Sequence, residues 1–177
     1  MKKIVTLLAI MLITISTFAQ TNLFKGIKSG MTKTEFMSYC SSNPDFKIIE
    51  SDNDFITTEI EGRTYIFTQN FNSKGQLYSL MFYSSSRYEW MEYDPNVKEN
   101  AVELYSLLEV KYGEPTYDVW VNWTDIPEGK SEIACSFEKN TVVAIILITE
   151  YKEEYFIGLT IIDSKYKDIV VKDSGGF

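Results

Sequence analysis

The sequence contains no histidine. That absence removes histidine-dependent triads, imidazole metal ligation and the general base most used near neutral pH. Cysteine is nearly as scarce, with Cys40 and Cys135 alone, so at most one internal disulfide can form. Positive charge is in deficit: 17 Lys and Arg stand against 25 Asp and Glu, a net of -8. A surface of that sign repels nucleic acid and anionic lipid. No glycine-rich loop able to cradle a phosphate appears, and no apolar run reaches the roughly 20 residues of a membrane span.

The longest such run, Ile4 to Ile15, follows Lys2 and Lys3 and gives way to Ser16, Thr17, Phe18 and Ala19. A basic start, a short apolar stretch and small residues at Thr17 and Ala19 read as a cleavable secretory signal cut after Ala19. The expected product is periplasmic or secreted and keeps no membrane span. No cysteine lies beside the cut, so a lipid-anchored N-terminus is not supported. Removing the first 19 of 177 residues leaves 158, enough for one domain over 20–177. The loss of Lys2 and Lys3 makes its net charge -10, with 15 basic against 25 acidic residues. In an oxidising compartment Cys40 and Cys135 either form one bridge or remain two buried thiols, and the sequence leaves both open.

Thr32, Lys33, Thr34 and Glu35 form a capping box, with Met31 and Phe36 at staple positions. A helix is expected over 33–41, ending ahead of Asn43-Pro44. Strand-like runs follow at 46–50, 55–60, 63–71 and 76–83, separated by short turns that favour antiparallel neighbours. A second helix is predicted from Asp94 as cap and Pro95 as first helical residue to Tyr112. Val97, Ala101, Leu104, Tyr105 and Leu108 lie on one stripe, and Gly113 and Pro115 end it. Four more runs, 116–123, 131–138, 141–149 and 155–162, complete the chain. Val142 to Ile148 is apolar almost throughout, as in a strand covered on both faces.

The fold class is α+β: two helices packed on an antiparallel sheet. The order helix then four strands occurs twice, over 30–84 and 94–163, offset by roughly 65 residues. That pattern fits a tandem αββββ pseudo-repeat, weighed against a single irregular sheet bearing two helices. Gly30-Met31-Thr32-Lys33-Thr34-Glu35-Phe36 opens one helix, and Lys111-Tyr112-Gly113-Glu114-Pro115-Thr116 closes another ahead of strands. These segments resemble the elements of small exported bacterial domains: the β-lactamase-inhibitor-protein-like fold and the related outer-membrane assembly lipoprotein domain. The resemblance implies a non-catalytic module that engages a protein partner, with the acidic tip at Asp52 and Asp54 as a contact.

Chemical motifs are weak. Ser136 and Lys139 have a serine-x-x-lysine spacing but no companion motifs. Asp52, Asn53 and Asp54 begin like a calcium loop, yet the glycine and the acid at the twelfth position are missing, so a polar hairpin tip is expected. Glu59 and Glu61 share a spacing that suits paired carboxylates, with Glu61 in a turn. No catalytic residue, metal site or cofactor is expected. Aromatic side chains are abundant, with 12 Tyr, 11 Phe and 3 Trp. Tyr117, Val119, Val121 and Trp123 alternate with Asp118, Trp120 and Asn122 along one predicted strand. Trp90, Trp120 and Trp123 are therefore the candidate anchors for a protein partner, the leading expectation, or stacking platforms for a glycan, the alternative. The competing role for them is to fill space between sheet and helix.

Overall fold

The computed structural model describes residues 20–49 and 55–168. The predicted signal over 1–19, the tip bearing Asp52 and Asp54, and the tail beyond 168 lie outside the described residues. The described chain opens with a hairpin that the sequence did not signal, β1 (Asn22–Phe24) and β2 (Ile27–Lys28). Its two turn residues, Lys25 and Gly26, both have positive φ, as tight hairpins require. Gly26 is needed for a second reason. The Tyr39 hydroxyl, donating to the Lys25 carbonyl at 2.7 Å, occupies the space where a Cβ would stand.

Helix α1 (Lys33–Ser42) begins as its capping box dictates. The Glu35 amide donates to the Thr32 hydroxyl at 3.3 Å, and the Thr32 amide donates to the Glu35 carboxylate at 2.8 Å. The Thr32 amide, followed by its hydroxyl, holds the Glu35 carboxyl below its ordinary value. Next come β3 (Phe46–Ile48), β4 (Ile56–Ile60), β5 (Arg63–Phe71), β6 (Leu77–Ser84) and β7 (Tyr88–Glu89). The second helix does not start at Asp94 as predicted. A wide π-helical turn spans Tyr93–Lys98, and regular α2 covers Glu99–Tyr112. Helical winding thus already includes Tyr93, whose side chain is drawn into the core, and Asp94 pairs with Lys98 at 3.9 Å instead of capping. After Gly113, at φ 90°, come β8 (Tyr117–Asp118), β9 (Ser131–Lys139), β10 (Val142–Tyr151) and β11 (Glu154–Asp163).

All pairings are antiparallel, and the path across the large sheet runs β3-β4-β5-β6-β11-β10-β9-β8, with β7 also beside β11. Each half is therefore a helix followed by a four-strand meander, and the fourth strands, β6 and β11, lie together at the centre. The spacing is not uniform: the helices start at Lys33 and Glu99, while the corresponding hairpin turns fall at Glu61 and Asn140. The second half carries a longer excursion between its first two strands.

One face of the sheet bears both helices. Phe36 of α1 meets the Phe67 and Phe71 rings of β5, and Tyr105 of α2 meets Phe137 of β9 edge-on at 5.3 Å. Along β10, Ala144, Ile146 and Ile148 face this core. Val143, Ile145 and Leu147 face the other way, where they cluster with Ile162, Tyr78, Ile133 and Tyr166. The predicted burial of this strand on both faces is thus observed. Each such branched side chain withdrawn from water contributes about 1.5–3 kcal/mol before entropy is counted.

No disulfide joins the cysteines; both are buried free thiols. Helix α1 sits over β5, whereas Cys135 belongs to β9, and β6, β11 and β10 intervene. At about 4.8 Å per strand step that is roughly 19 Å, beyond the reach of a bridge. Burial pushes both thiols from 9.0 up to about 12 and the Tyr65 phenol from 10.0 up to about 12, and raises Tyr93 as well. These folded values exceed the unfolded ones, so their stabilisation is complete below pH 9 and is lost as pH rises from about 9 to 12. With no histidine present, the urea midpoint is expected to stay constant between about pH 6 and 8 and to fall above about pH 9. A midpoint unchanged up to about pH 11 would contradict this. In the same samples, a thiol reagent near pH 8 should count no reactive group in the native protein and two in denaturant.

Candidate interaction surface

The segment after α2 departs from the sequence reading. A strand was predicted over 116–123, but ladder pairing ends at Asp118. Thr116 and Val119 still donate to the Ser136 and Ala134 carbonyls of β9, at 2.8 and 2.9 Å. Two non-local features end the strand there. The pairing of β9 with β10 shifts register at Ala134, a bulge that bends the edge away. The Tyr93 hydroxyl then takes the Val121 carbonyl at 2.8 Å. Tyr93 is itself 1% exposed and packs edge-on against Tyr155 of β11 at 5.3 Å. The chain is thereby hooked toward the start of α2, and a short 3-10 turn follows at Trp123–Asp125.

This path sets Trp120 on the helix-bearing side. Its ring lies 5.8 Å from Tyr105, which rests on Phe137. The three rings step outward from a fully buried Phe137 through a half-buried Tyr105 to Trp120, 37% exposed. Val102, one turn earlier on α2, and Val119 are exposed too. Desolvation first, then the charges of Asp118, Glu109 and Glu114, raises the Tyr105 phenol above its ordinary value. Those carboxylates therefore lie within electrostatic reach of the Tyr105 hydroxyl and add negative charge beside it.

Trp90 occupies a 3-10 turn, Trp90–Glu92, and is 54% exposed beside the still more exposed Met91. It belongs to the segment that leads into Tyr93, so the hook to Val121 joins the two tryptophan-bearing stretches. The side chain of Trp123 lies outside the described structure, as do Asp52 and Asp54. Their expected roles as contacts have no counterpart among the described residues. The structure adds Tyr105 and Tyr93 to the surface. Tyr105 had been expected on the buried stripe, and Tyr93 had no local signal of its anchoring role.

No family model, curated protein or solved structure matches the chain. The remaining candidates resolve into structural roles. Ser136 shares a 3.1 Å hydrogen bond with the Thr116 hydroxyl, and Lys139 donates to the Lys111 carbonyl at 3.0 Å, favourable at the C-terminus of α2. Glu61 sits in the β4–β5 turn with positive φ. Among the described residues, no group of three or more acidic or cysteine side chains is placed to hold a metal. None of the described helices is long and apolar enough to cross a membrane.

Removing the hook tests its function. Tyr93→Phe deletes one buried hydrogen bond and is expected to cost about 1 kcal/mol of stability. Amide exchange should speed up selectively over residues 119–125, with β10 and β11 as protected as before. Uniform acceleration across the sheet, or none, would contradict the anchoring role.

Proposed function

We propose that the chain is an exported binding module that engages a protein partner through the acid-rimmed Trp120–Tyr105 surface. The observation that carries this reading is the step of ring contacts from Phe137 through Tyr105 to Trp120. An exposed indole fixed to the core through rigid rings loses little freedom on binding, which is what interface anchors require. The surrounding carboxylates of Asp118, Glu109 and Glu114 favour a basic partner by steering and by complementarity. Export rests on the first 19 residues. The twofold occurrence of a helix with four strands, with β6 and β11 paired between the halves, supports a duplicated αββββ unit over 30–84 and 94–163 and accords with the inhibitor-like resemblance. No catalytic step is proposed.

A second reading is favoured by one detail. Two residues after Trp120 in the chain, the Asn122 amide donates to the Asp125 carboxylate at 3.3 Å. An indole in a segment that also carries an amide and a carboxylate offers the chemistry that stacks on a sugar ring and takes its hydroxyls.

Capture from an envelope extract with immobilised protein tests the first reading. A basic protein should be retained by the wild type, released at about 0.5 M salt, and lost with Trp120→Ala. Equal retention by the variant would refute the surface. A shift in tryptophan emission on adding oligosaccharides, abolished by the same substitution, would select the glycan reading instead. Mass measurement of protein from its native cell is expected to show a chain starting at Gln20, and a retained leader would overturn export.

A further inference from the structure

The face of the sheet opposite the helices holds a half-open cavity of about 610 Å³. That volume lies within the range of small-molecule sites. It crosses the seam between the two halves: Ile66 of β5, Met81 and Tyr83 of β6 and Phe156 of β11 supply its apolar wall. Two ionisable side chains of opposite charge, Arg87 and Glu150, also line it, and their situations differ.

Glu150 is 4% exposed and already satisfied. One carboxylate oxygen accepts from the Glu153 amide at 2.6 Å and the other from the Gly129 amide at 2.5 Å. Its charge is spent on the backbone of the two loops it ties together. Arg87 is exposed, and its guanidinium lies 4.3 Å from the centroid of the Phe156 ring. It has no carboxylate partner among the described residues. This cation–π contact leaves the N–H donors of the guanidinium available, and a guanidinium pairs with a carboxylate in fork geometry. In a chain with a net charge of -8, an apolar hollow whose available ionic group among the described residues is a cation is an unusual local environment.

We infer that this cavity binds an amphiphilic monocarboxylate, with the apolar body against Ile66, Met81 and Phe156 and the carboxylate on Arg87. Charge complementarity selects the ligand class: a neutral amphiphile leaves Arg87 without an anionic partner, and a cationic one faces it directly. The site is separate from the Trp120 surface, which lies on the helix-bearing side.

Calorimetric titration of the purified protein with dodecanoate, kept below its micelle threshold, tests the assignment, with dodecanol and dodecyltrimethylammonium as neutral and cationic comparators. Saturable binding of dodecanoate is expected, with binding of both comparators at least about tenfold weaker. Arg87→Gln, a surface change, should weaken dodecanoate about tenfold and abolish the preference over dodecanol, while Trp120→Ala leaves the titration unchanged. Absence of saturable binding, equal binding of the neutral comparator, or an unaltered affinity in Arg87→Gln would overturn the assignment. Because Trp120→Ala is the control here, failure of this site and failure of the partner surface are separately visible.

Discussion

The pairing of β6 with β11 is the contact on which the rest of the molecule depends. It runs from Ser79 opposite Ile162 to Tyr83 opposite Gly158 and makes one sheet of two meanders. Without it each half would be a single helix on four short strands with a long open edge, too small to bury an adequate core and exposed to wrong pairing. With it, Leu80 and Phe82 from the first half and Leu159 and Ile161 from the second enter one continuous core, and every one of them is at most 2% exposed.

One strand of that seam, β11, borders both surfaces. On the helix-bearing side, Tyr155 of β11 packs against Tyr93, and Tyr93 holds the Val121 carbonyl, so the central strand governs where the Trp120 segment lies. On the opposite side, β5, β6, β10 and β11 together wall the hollow beneath Arg87. The hollow draws its wall from both halves, whereas the Trp120 surface is built from the second half and the segment that leads into it. The hollow, with its arginine on an aromatic ring, lies where the two halves are joined.

Local chemistry was readable wherever it decided the outcome. Thr32 and Glu35 announced α1 because the capping box is a contact three residues long, and the apolar run from Val142 to Ile148 announced a strand covered on both faces. The α+β class and the antiparallel arrangement followed from element order and short turns. What escaped the sequence is what depends on residues far away. The β1–β2 hairpin is too short to show a pattern, and β8 stops at Asp118 because of a bulge at Ala134 and a hydroxyl on Tyr93. Helical winding begins at Tyr93, whose ring packs against Tyr155 of the distant β11. The separation of Cys40 from Cys135 follows from strand order, which no spacing along the chain contains. Trp120 was a candidate anchor from composition, but its partner Tyr105 sits on another element and became identifiable only through the fold.

If β6 and β11 bind the two halves into one unit, their amides must open together. Native-state hydrogen exchange in low denaturant measures this directly, residue by residue. Amides of β5, β6, β10 and β11 should exchange through the same opening, with a free energy equal to that of global unfolding. Exchange of β5 and β6 through a distinctly cheaper opening, while β10 and β11 stay protected, would show two independent halves and contradict the account.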